Sequence, residues 1–182
     1  MANNTQKLDW DPLNAASIIL TYPDGCCRPE MVDWLEWVGI KKNRRFYLNK
    51  GDYDCTTAYN TMAHDALRLP YKWFIFGEKD IKPDYKHTLP FLNARGPVVG
   101  AIYDVDNEAA FDYPRAIHTG LMRCSREALE SIEPPWFQLT RSDDGQQLLA
   151  CPCKYFQEKL NAAGIETIHA GHVYHKPKHR HI

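Results

Sequence analysis

The sequence lacks any hydrophobic run approaching the roughly 18 residues that are needed to cross a bilayer. The segment from Met1 to Asp11 is polar, so it also lacks the apolar core of a signal peptide. Its 182 residues carry a net charge of only −1, which argues against a protein that coats nucleic acid by bulk charge. These absences predict a soluble, cytoplasmic protein with no membrane partner.

Internal repeats, linkers and low-complexity stretches are lacking as well, and the length suits one domain. We expect an N-terminal arm at residues 1–16, one folded domain at 17–175 and a basic tail at 176–182. Because no signal peptide is expected, the thiols should be mostly free in a reducing compartment. There are six of them: Cys26, Cys27, Cys55, Cys124, Cys151 and Cys153.

What the sequence does contain is an alternation of short apolar runs with amphipathic segments. This alternation predicts an α/β fold with a mostly parallel central sheet and helices on both faces. The expected strands are 17–21, 45–48, the run that starts at 73, 98–103, 121–124 and 165–170. The expected helices are 29–38, 55–69, 83–92, 126–131 and 152–163, the last capped by Gly164.

The most informative run is the third strand, which ends abruptly in Glu78, Lys79 and Asp80. Side chains at positions i and i+2 of an extended segment share a side, so Glu78 and Asp80 can face one point. Two carboxylates suit Mg²⁺ or Mn²⁺, and such an ion can hold a diphosphate. Ligands of parallel sheets bind outside the carboxyl ends of the strands, where this pair is expected. The alternative is an ordinary strand end with solvated charges.

Several segments, in order, resemble glycosyltransferases of the GT-A fold, a Rossmann-like fold, of the small family-2-like kind. The resemblance spans about residues 17–175. The segments are Thr21-Tyr22-Pro23 with Arg28-Pro29-Glu30, Ala58-Tyr59-Asn60, Glu78-Lys79-Asp80, the stretch 119–137, and the closing 159–172.

The resemblance implies a metal-dependent transferase of hexosyl or similar groups. It would move a sugar from a nucleotide-sugar, expected to be a UDP-sugar, to a hydroxyl acceptor. Thr21 and Tyr22 would contact the base or its ribose, and Asn60 would help hold the nucleotide. Glu78 and Asp80 would reach the ribose of the donor and the Mn²⁺ or Mg²⁺ ion.

The resemblance also implies a third metal ligand and an acceptor pocket. His172 would be the third protein ligand of the metal. Trp136 and Phe137 would line the acceptor pocket, and His118 adjoins the strand on that side.

The chain departs from the family pattern at three places. Glu78 replaces the first Asp of the metal motif, and Tyr59 replaces an Arg. Cys153, with the proline before it, stands where relatives carry the acidic pair that supplies the catalytic base. A thiol of ordinary pKa, about 8.5, is a poor base for a sugar hydroxyl. Asp143 and Asp144 are therefore the candidate bases. If neither reaches the site, the protein is a non-catalytic nucleotide-sugar binder.

The chain looks most like stand-alone transferases of phage-type genomes, which would place it in the host cytoplasm. Some of these, including types associated with TET oxygenases, glycosylate hydroxymethylated pyrimidines in DNA. A 5-hydroxymethylated pyrimidine in DNA is thus the leading acceptor, and a saccharide or small glycoside is the alternative. The basic tail would contact phosphates, and Trp136 or Phe137 would stack on a flipped base.

A different kind of site is suggested by Cys151, Cys153, His169 and His172, which offer the ligand types of a Cys2His2 zinc site. This alternative would make the chain a structural or nucleic-acid-binding module. The spacing differs from that of the usual zinc finger, because one residue separates the cysteines and a helix follows them.

Overall fold

A computed structural model describes residues 10–48, 55–105, 117–145 and 148–175. The strands are β1 (Ala15–Thr21), β2 (Arg44–Leu48), β3 (Trp73–Glu78), β4 (Ile81–Pro83), β5 (Val98–Val105), β6 (Leu121–Ser125), β7 (Thr140–Arg141), β8 (Leu148–Ala150) and β9 (Thr167–His175). The helices are α1 (Pro29–Val38), α2 (Cys55–Leu67), α3 (Tyr85–Asn93), α4 (Arg126–Glu130) and α5 (Pro152–Ala162), and a short 3-10 helix (Pro12–Asn14) precedes β1.

Within the described ranges, seven strands form the main sheet, in the order β2-β1-β3-β6-β5-β9-β4. β1 runs parallel to β2 and β3, and β5 runs parallel to β9. β6 and β4 run antiparallel to their neighbours, so five of the seven strands point the same way. The prediction of an α/β fold with a mostly parallel sheet is confirmed. The short strands β7 and β8 form a separate antiparallel hairpin.

The helices cover both faces of the sheet, as predicted. Successive residues of β1 show the two faces, because Ile18 packs in one hydrophobic cluster and Ile19 in the other. The first cluster includes buried residues from α2, α4 and α5, and the second includes buried residues from α1 and α3: Met62, Leu129 and Phe156 on one face, and Trp34 and Phe91 on the other. None of the helices in these ranges is long and apolar enough to span a membrane.

The helix ends follow local sequence signals. α1 starts at Pro29, where a missing N–H costs nothing, and stops at Gly39, whose φ of 99° few other residues adopt. The Asp84 carboxylate caps α3 by accepting from the backbone N–H groups of the next turn. Gly164, with φ 74°, follows α5 as expected. These caps set where the connecting loops begin, and the loops carry the candidate site.

The N-terminal arm is partly absorbed into the fold. β1 starts at Ala15, inside the predicted arm, and Trp10 is buried with its indole N–H donating to the Leu92 carbonyl at 2.9 Å. Residues 1–9 and the predicted basic tail at 176–182 lie outside the described residues. The folded unit therefore begins earlier than the apolar pattern indicates.

Candidate functional site

The candidate site lies where the chain diverges from β1. In the sheet, β2 and β3 lie on opposite sides of β1. The chain passes from β1 through α1 to β2, and then through α2 to β3. Leu20 pairs with Glu78, so the parallel strands β1 and β3 end at the same edge. Diverging connections at the carboxyl ends of parallel strands open a crevice, and this is the usual ligand position in such sheets.

The loops that follow β1 and β3 are joined to each other. The backbone N–H of Arg28 donates to the Lys79 carbonyl at 3.2 Å. The Lys79 ammonium lies 5.6 Å from the centre of the Tyr22 ring, within cation–π range. The turn after β1 is closed by the Tyr22 N–H, which donates to the Cys26 carbonyl at 2.8 Å. The two loops thus form one continuous rim of the crevice.

The side chains of Tyr22, Arg28 and Asp80 influence one another on this rim. Partial burial raises the pKa of the Tyr22 phenol, the Asp80 carboxylate raises it further, and the Arg28 guanidinium opposes them. Asp80 is itself only 9% exposed. The rim therefore combines an aromatic ring, a cation and a carboxylate. Such a set can take a base, a phosphate, and a ribose hydroxyl or hard cation respectively.

Glu78 is held by two donors behind the rim. Its Oε1 accepts from the Tyr59 hydroxyl at 2.5 Å and from the Thr119 hydroxyl at 2.7 Å. Burial and then the Glu78 charge raise the pKa of Tyr59 well above its usual value, which keeps the phenol a donor. Glu78 thereby ties β3 to α2 and to Thr119, two residues before the start of β6.

This network joins two residues that depart from the pattern of the family that the sequence resembles. Tyr59 stands where that family has Arg, and Glu78 stands where it has the shorter Asp. In this chain the two residues are hydrogen-bonded partners. Considered in the sequence alone, these two substitutions look unrelated. Their occurrence in the same chain was the one signal that could have suggested a contact between the two side chains.

His118 lies beside this network on a second tyrosine. Its ring stacks on Tyr103 with centroids 4.7 Å apart and 24° between planes. Burial and then Glu78 raise the pKa of Tyr103. A Cβ at Gly120 would lie 1.6 Å from the Tyr103 hydroxyl oxygen, so only glycine leaves room for this phenol. The predicted acceptor role of His118 stays a prediction, and its ring does adjoin the residues around Glu78.

Two predicted nucleotide ligands, Thr21 and Asn60, make hydrogen bonds within the fold. Thr21 is fully buried, and its hydroxyl donates to the Tyr47 carbonyl at 2.8 Å, joining β1 to β2. Asn60 uses both its amide donors and its carbonyl oxygen on neighbouring backbone, including two N–H groups at Trp136 and Phe137. Thr21 therefore has no exposed surface to offer a nucleotide, whereas Asn60 is half-buried and its predicted nucleotide role stays a prediction.

Of the predicted acceptor residues, Phe137 needs correction. Phe137 is fully buried and stacks on Phe156 at 4.7 Å, so it offers no face to a flipped base. Trp136 is 6% exposed, and its indole N–H donates to the Leu129 carbonyl at 3.0 Å. Trp136 does border a surface groove of about 520 Å³ that Thr57 also lines. The aromatic loop belongs mainly to the core.

The candidate bases lie on the tip of the β7–β8 hairpin. Asp143 and Asp144 are both exposed, in the turn that the Gly145 N–H closes by donating to the Ser142 carbonyl at 2.7 Å. The Ser142 hydroxyl also donates to the Asp144 carboxylate. This is the geometry of a solvated turn, and a catalytic role for either residue stays a prediction.

The proposed metal ligand sets are not assembled. Across the part of the chain that the structure describes, no three His, Cys, Asp or Glu side chains form a group able to hold a metal ion. Glu78, Asp80 and His172 therefore do not converge, and His172 is an exposed residue of β9. The zinc alternative is overturned on the same ground, since Cys151, Cys153, His169 and His172 do not converge either.

A metal ion that is bound jointly by the protein and a ligand needs fewer protein side chains to hold it. Mg²⁺ is commonly held by one or two carboxylates together with substrate phosphates and water. Asp80 on the rim, with Glu78 two residues before it, fits that kind of site. The donor chemistry is compatible with Mg²⁺ or Mn²⁺ on a diphosphate, and it offers no thiolate or imidazole cage.

The structure defines a mixed α/β protein with a mostly parallel sheet and a candidate ligand site at the carboxyl edge of β1 and β3. No protein-family model and no curated protein matches the sequence. Among solved structures, the chain is similar to the crystal structure of A197 from STIV, with a TM-score of 0.56 and 15% sequence identity. The match covers 90% of this chain and 86% of that one, and at this identity it concerns the fold alone.

Proposed function

We propose that the protein is a glycosyltransferase that binds a nucleotide-sugar, with UDP as the expected nucleotide, at the carboxyl edge of β1 and β3. The observation that carries the proposal is the meeting of Tyr22, Arg28 and Asp80 on one rim, at the point where the chain diverges. The order of the family-like segments along the sequence and the α/β fold support it.

Each rim residue takes one part of the donor. The Tyr22 ring packs on the base, the Arg28 guanidinium faces the diphosphate, and Asp80 faces the ribose and the metal-binding side. A divalent cation bound there would stabilise the negative charge of the departing diphosphate. Glu78, held by Tyr59 and Thr119, fixes the end of β3 so that Asp80 keeps its place.

The acceptor side of the proposal rests on the sequence resemblance. A 5-hydroxymethylated pyrimidine in DNA is the proposed acceptor, and a saccharide or small glycoside is the second candidate. Asp143 or Asp144 would remove the proton of the acceptor hydroxyl. If the protein is instead a non-catalytic nucleotide-sugar binder, the rim has the same role and only this proton transfer is absent.

Donor binding is tested by thermal unfolding with UDP, with and without Mn²⁺. At about 100 times its dissociation constant, a ligand of the native state adds about 2.7 kcal/mol to the free energy of unfolding. We expect this stabilisation to depend on Mn²⁺ and to disappear in Asp80→Asn. Asp33→Asn, which changes an exposed carboxylate on α1, should keep it. No stabilisation by UDP or GDP in the wild type would overturn the proposal.

The assignment of the base is tested separately by turnover. Asp143→Asn and Asp144→Asn should leave UDP binding intact, and one of them should lower transfer by about 100-fold or more. The assay follows UDP release from a UDP-sugar with hydroxymethylated DNA, and unmodified DNA serves as the control. Full turnover in both variants would show that the base is neither residue. DNA-dependent release that falls steeply with salt would favour the DNA acceptor.

A further inference from the structure

Two cysteines open α5 in an arrangement that the proposed transfer reaction does not use. Cys151 is the N-cap residue, with φ −73° and ψ 160°, and its Sγ accepts from the Lys154 backbone N–H at 3.4 Å. Pro152 occupies the first helical position, which fixes the backbone between the thiols. Cys151 and Cys153 lie on either side of this proline, and each is the largest influence on the pKa of the other, so the two side chains are neighbours. The pair therefore lies within reach of a reaction between its two sulfur atoms.

The two thiols differ in access to solvent. Cys151 is partly exposed, whereas Cys153 is only 6% exposed. The Sγ of Cys153 lies 3.6 Å from the Thr119 hydroxyl, which holds the inner thiol in place behind the outer one. A reagent from solvent therefore reaches Cys151 before Cys153, which lies behind it.

Their protonation also differs. The Cys153 thiol and the backbone N–H groups at the start of α5 lower the pKa of Cys151 to about 6, against the opposing effect of burial. The pKa of Cys153 is raised, first by its hydrogen bond to Cys151, then by burial and by the charges of Cys151 and Glu78. At neutral pH the pair thus holds a thiolate outside and a thiol inside.

From this arrangement we propose that Cys151 and Cys153 form a peroxide-reactive thiol pair, in which Cys151 is oxidised first and Cys153 resolves the product into a disulfide. The Cys151 sulfur attacks one peroxide oxygen, the O–O bond breaks, hydroxide leaves, and Cys151 becomes a sulfenic acid. The Cys153 sulfur then attacks that sulfur, the S–O bond breaks and water leaves with the Cys153 proton. Two thiols are oxidised and one hydrogen peroxide is reduced to water. This chemistry is independent of sugar transfer.

Other cysteines of the chain act as internal references. Cys26 is the more exposed thiol, so it would react first if exposure alone decided the order. Cys124 is fully buried, and burial raises its pKa to about 12, so it should stay reduced. Comparing the three sites within one molecule removes differences in protein or oxidant concentration.

The experiment exposes the reduced wild-type protein to a limiting amount of hydrogen peroxide at pH 6, followed by alkylation and peptide mass spectrometry. At that pH, a thiol of pKa about 6 is about 50% thiolate, against about 0.3% for an ordinary thiol. Its lower intrinsic nucleophilicity takes back about tenfold of this advantage. We therefore expect the Cys151–Cys153 disulfide to form about tenfold faster than Cys26 is oxidised. At pH 8 the thiolate fractions are about 99% and about 24%, so the same arithmetic removes the advantage.

Two variants test the order of the steps. Cys153→Ala should stop at a Cys151 sulfenic acid, which a 1,3-diketone reagent traps, and Cys151→Ser should abolish the fast reaction. Oxidation of Cys26 at the same rate as the pair, or before it, in the wild-type protein at pH 6 would overturn the proposal. So would a pair that stays reduced while Cys26 is oxidised. These wild-type results do not depend on whether a variant folds.

Discussion

Replacing Arg123 by alanine should lower the free energy of unfolding by about 3–5 kcal/mol, measured by urea denaturation. Arg123 lies on β6 with no exposed surface, and its guanidinium donates to the Leu92 carbonyl at 3.0 Å and to the Ala94 carbonyl at 2.6 Å. Truncation removes the donor of Ala94 and leaves Leu92 only the Trp10 indole. These contacts hold the end of α3 on the sheet.

Lost packing adds to the lost hydrogen bonds. The guanidinium carbon of Arg123 lies 5.0 Å from the centre of the Trp10 ring, 5.4 Å from that of Trp73 and 5.9 Å from that of Phe91. Alanine would leave a cavity between three aromatic rings, where both van der Waals contacts and cation–π attraction are lost.

The matched control is Arg68→Ala. This arginine is 72% exposed, and its ion pair with Asp65 is long, at 3.9 Å. It should change the free energy of unfolding by less than about 0.5 kcal/mol. A loss below about 1 kcal/mol in Arg123→Ala would show that the buried guanidinium contributes little beyond a neutral side chain.

The elements of the fold could be predicted because they depend on local pattern. The apolar runs at the centre of β1 and β3 are continuous, and the periodicity of α2 is visible in a short window. The direction of β6 could not be predicted, since it depends on pairing Trp73 with Ser125 across the sheet. β4 is only three residues long, too short for any periodicity to show.

The position of Trp10 shows the same limit at the start of the chain. Its neighbours are polar, and they indicate an arm. Its burial depends on the Leu92 carbonyl, 82 residues further along the sequence, and on the stacked Arg123. A sequence window cannot show a partner at that separation.

The sequence predicted correctly that the acidic pair lies at the carboxyl end of β3, and it could not show which other polar side chains the fold itself uses. Asp80 and Tyr22 do lie on one rim, because parallel strands that end in register bring their loops together. Thr21 ends β1 and Asn60 lies on α2, yet both side chains are hydrogen-bonded to backbone groups of the fold. A polar residue that satisfies the fold and one that binds a ligand look alike in a sequence.

Replacing Asn60 by alanine should cost about 3–4 kcal/mol of the free energy of unfolding. Its amide nitrogen donates to the carbonyls of Phe137 at 2.7 Å and Thr56 at 2.9 Å. Its amide oxygen accepts from the N–H groups of Trp136 at 2.8 Å and Phe137 at 3.1 Å. Alanine leaves the Phe137 carbonyl and the N–H groups of Trp136 and Phe137 without the side-chain partner they have in the wild type. Each buried polar group left unpaired costs about 1–3 kcal/mol. Thermal or urea unfolding gives the value.

The control is Thr61→Ala on the exposed side of the same helix, where the hydroxyl bonds only to the Thr57 carbonyl one turn back. It should cost less than about 0.5 kcal/mol. Measuring UDP stabilisation in both variants separates the two roles of Asn60. If Asn60 anchors the loop, the variant loses stability but gains the same increment from UDP as the wild type. If Asn60→Ala instead keeps its stability and loses the UDP increment, Asn60 is a nucleotide ligand, and the loop must be held by other contacts.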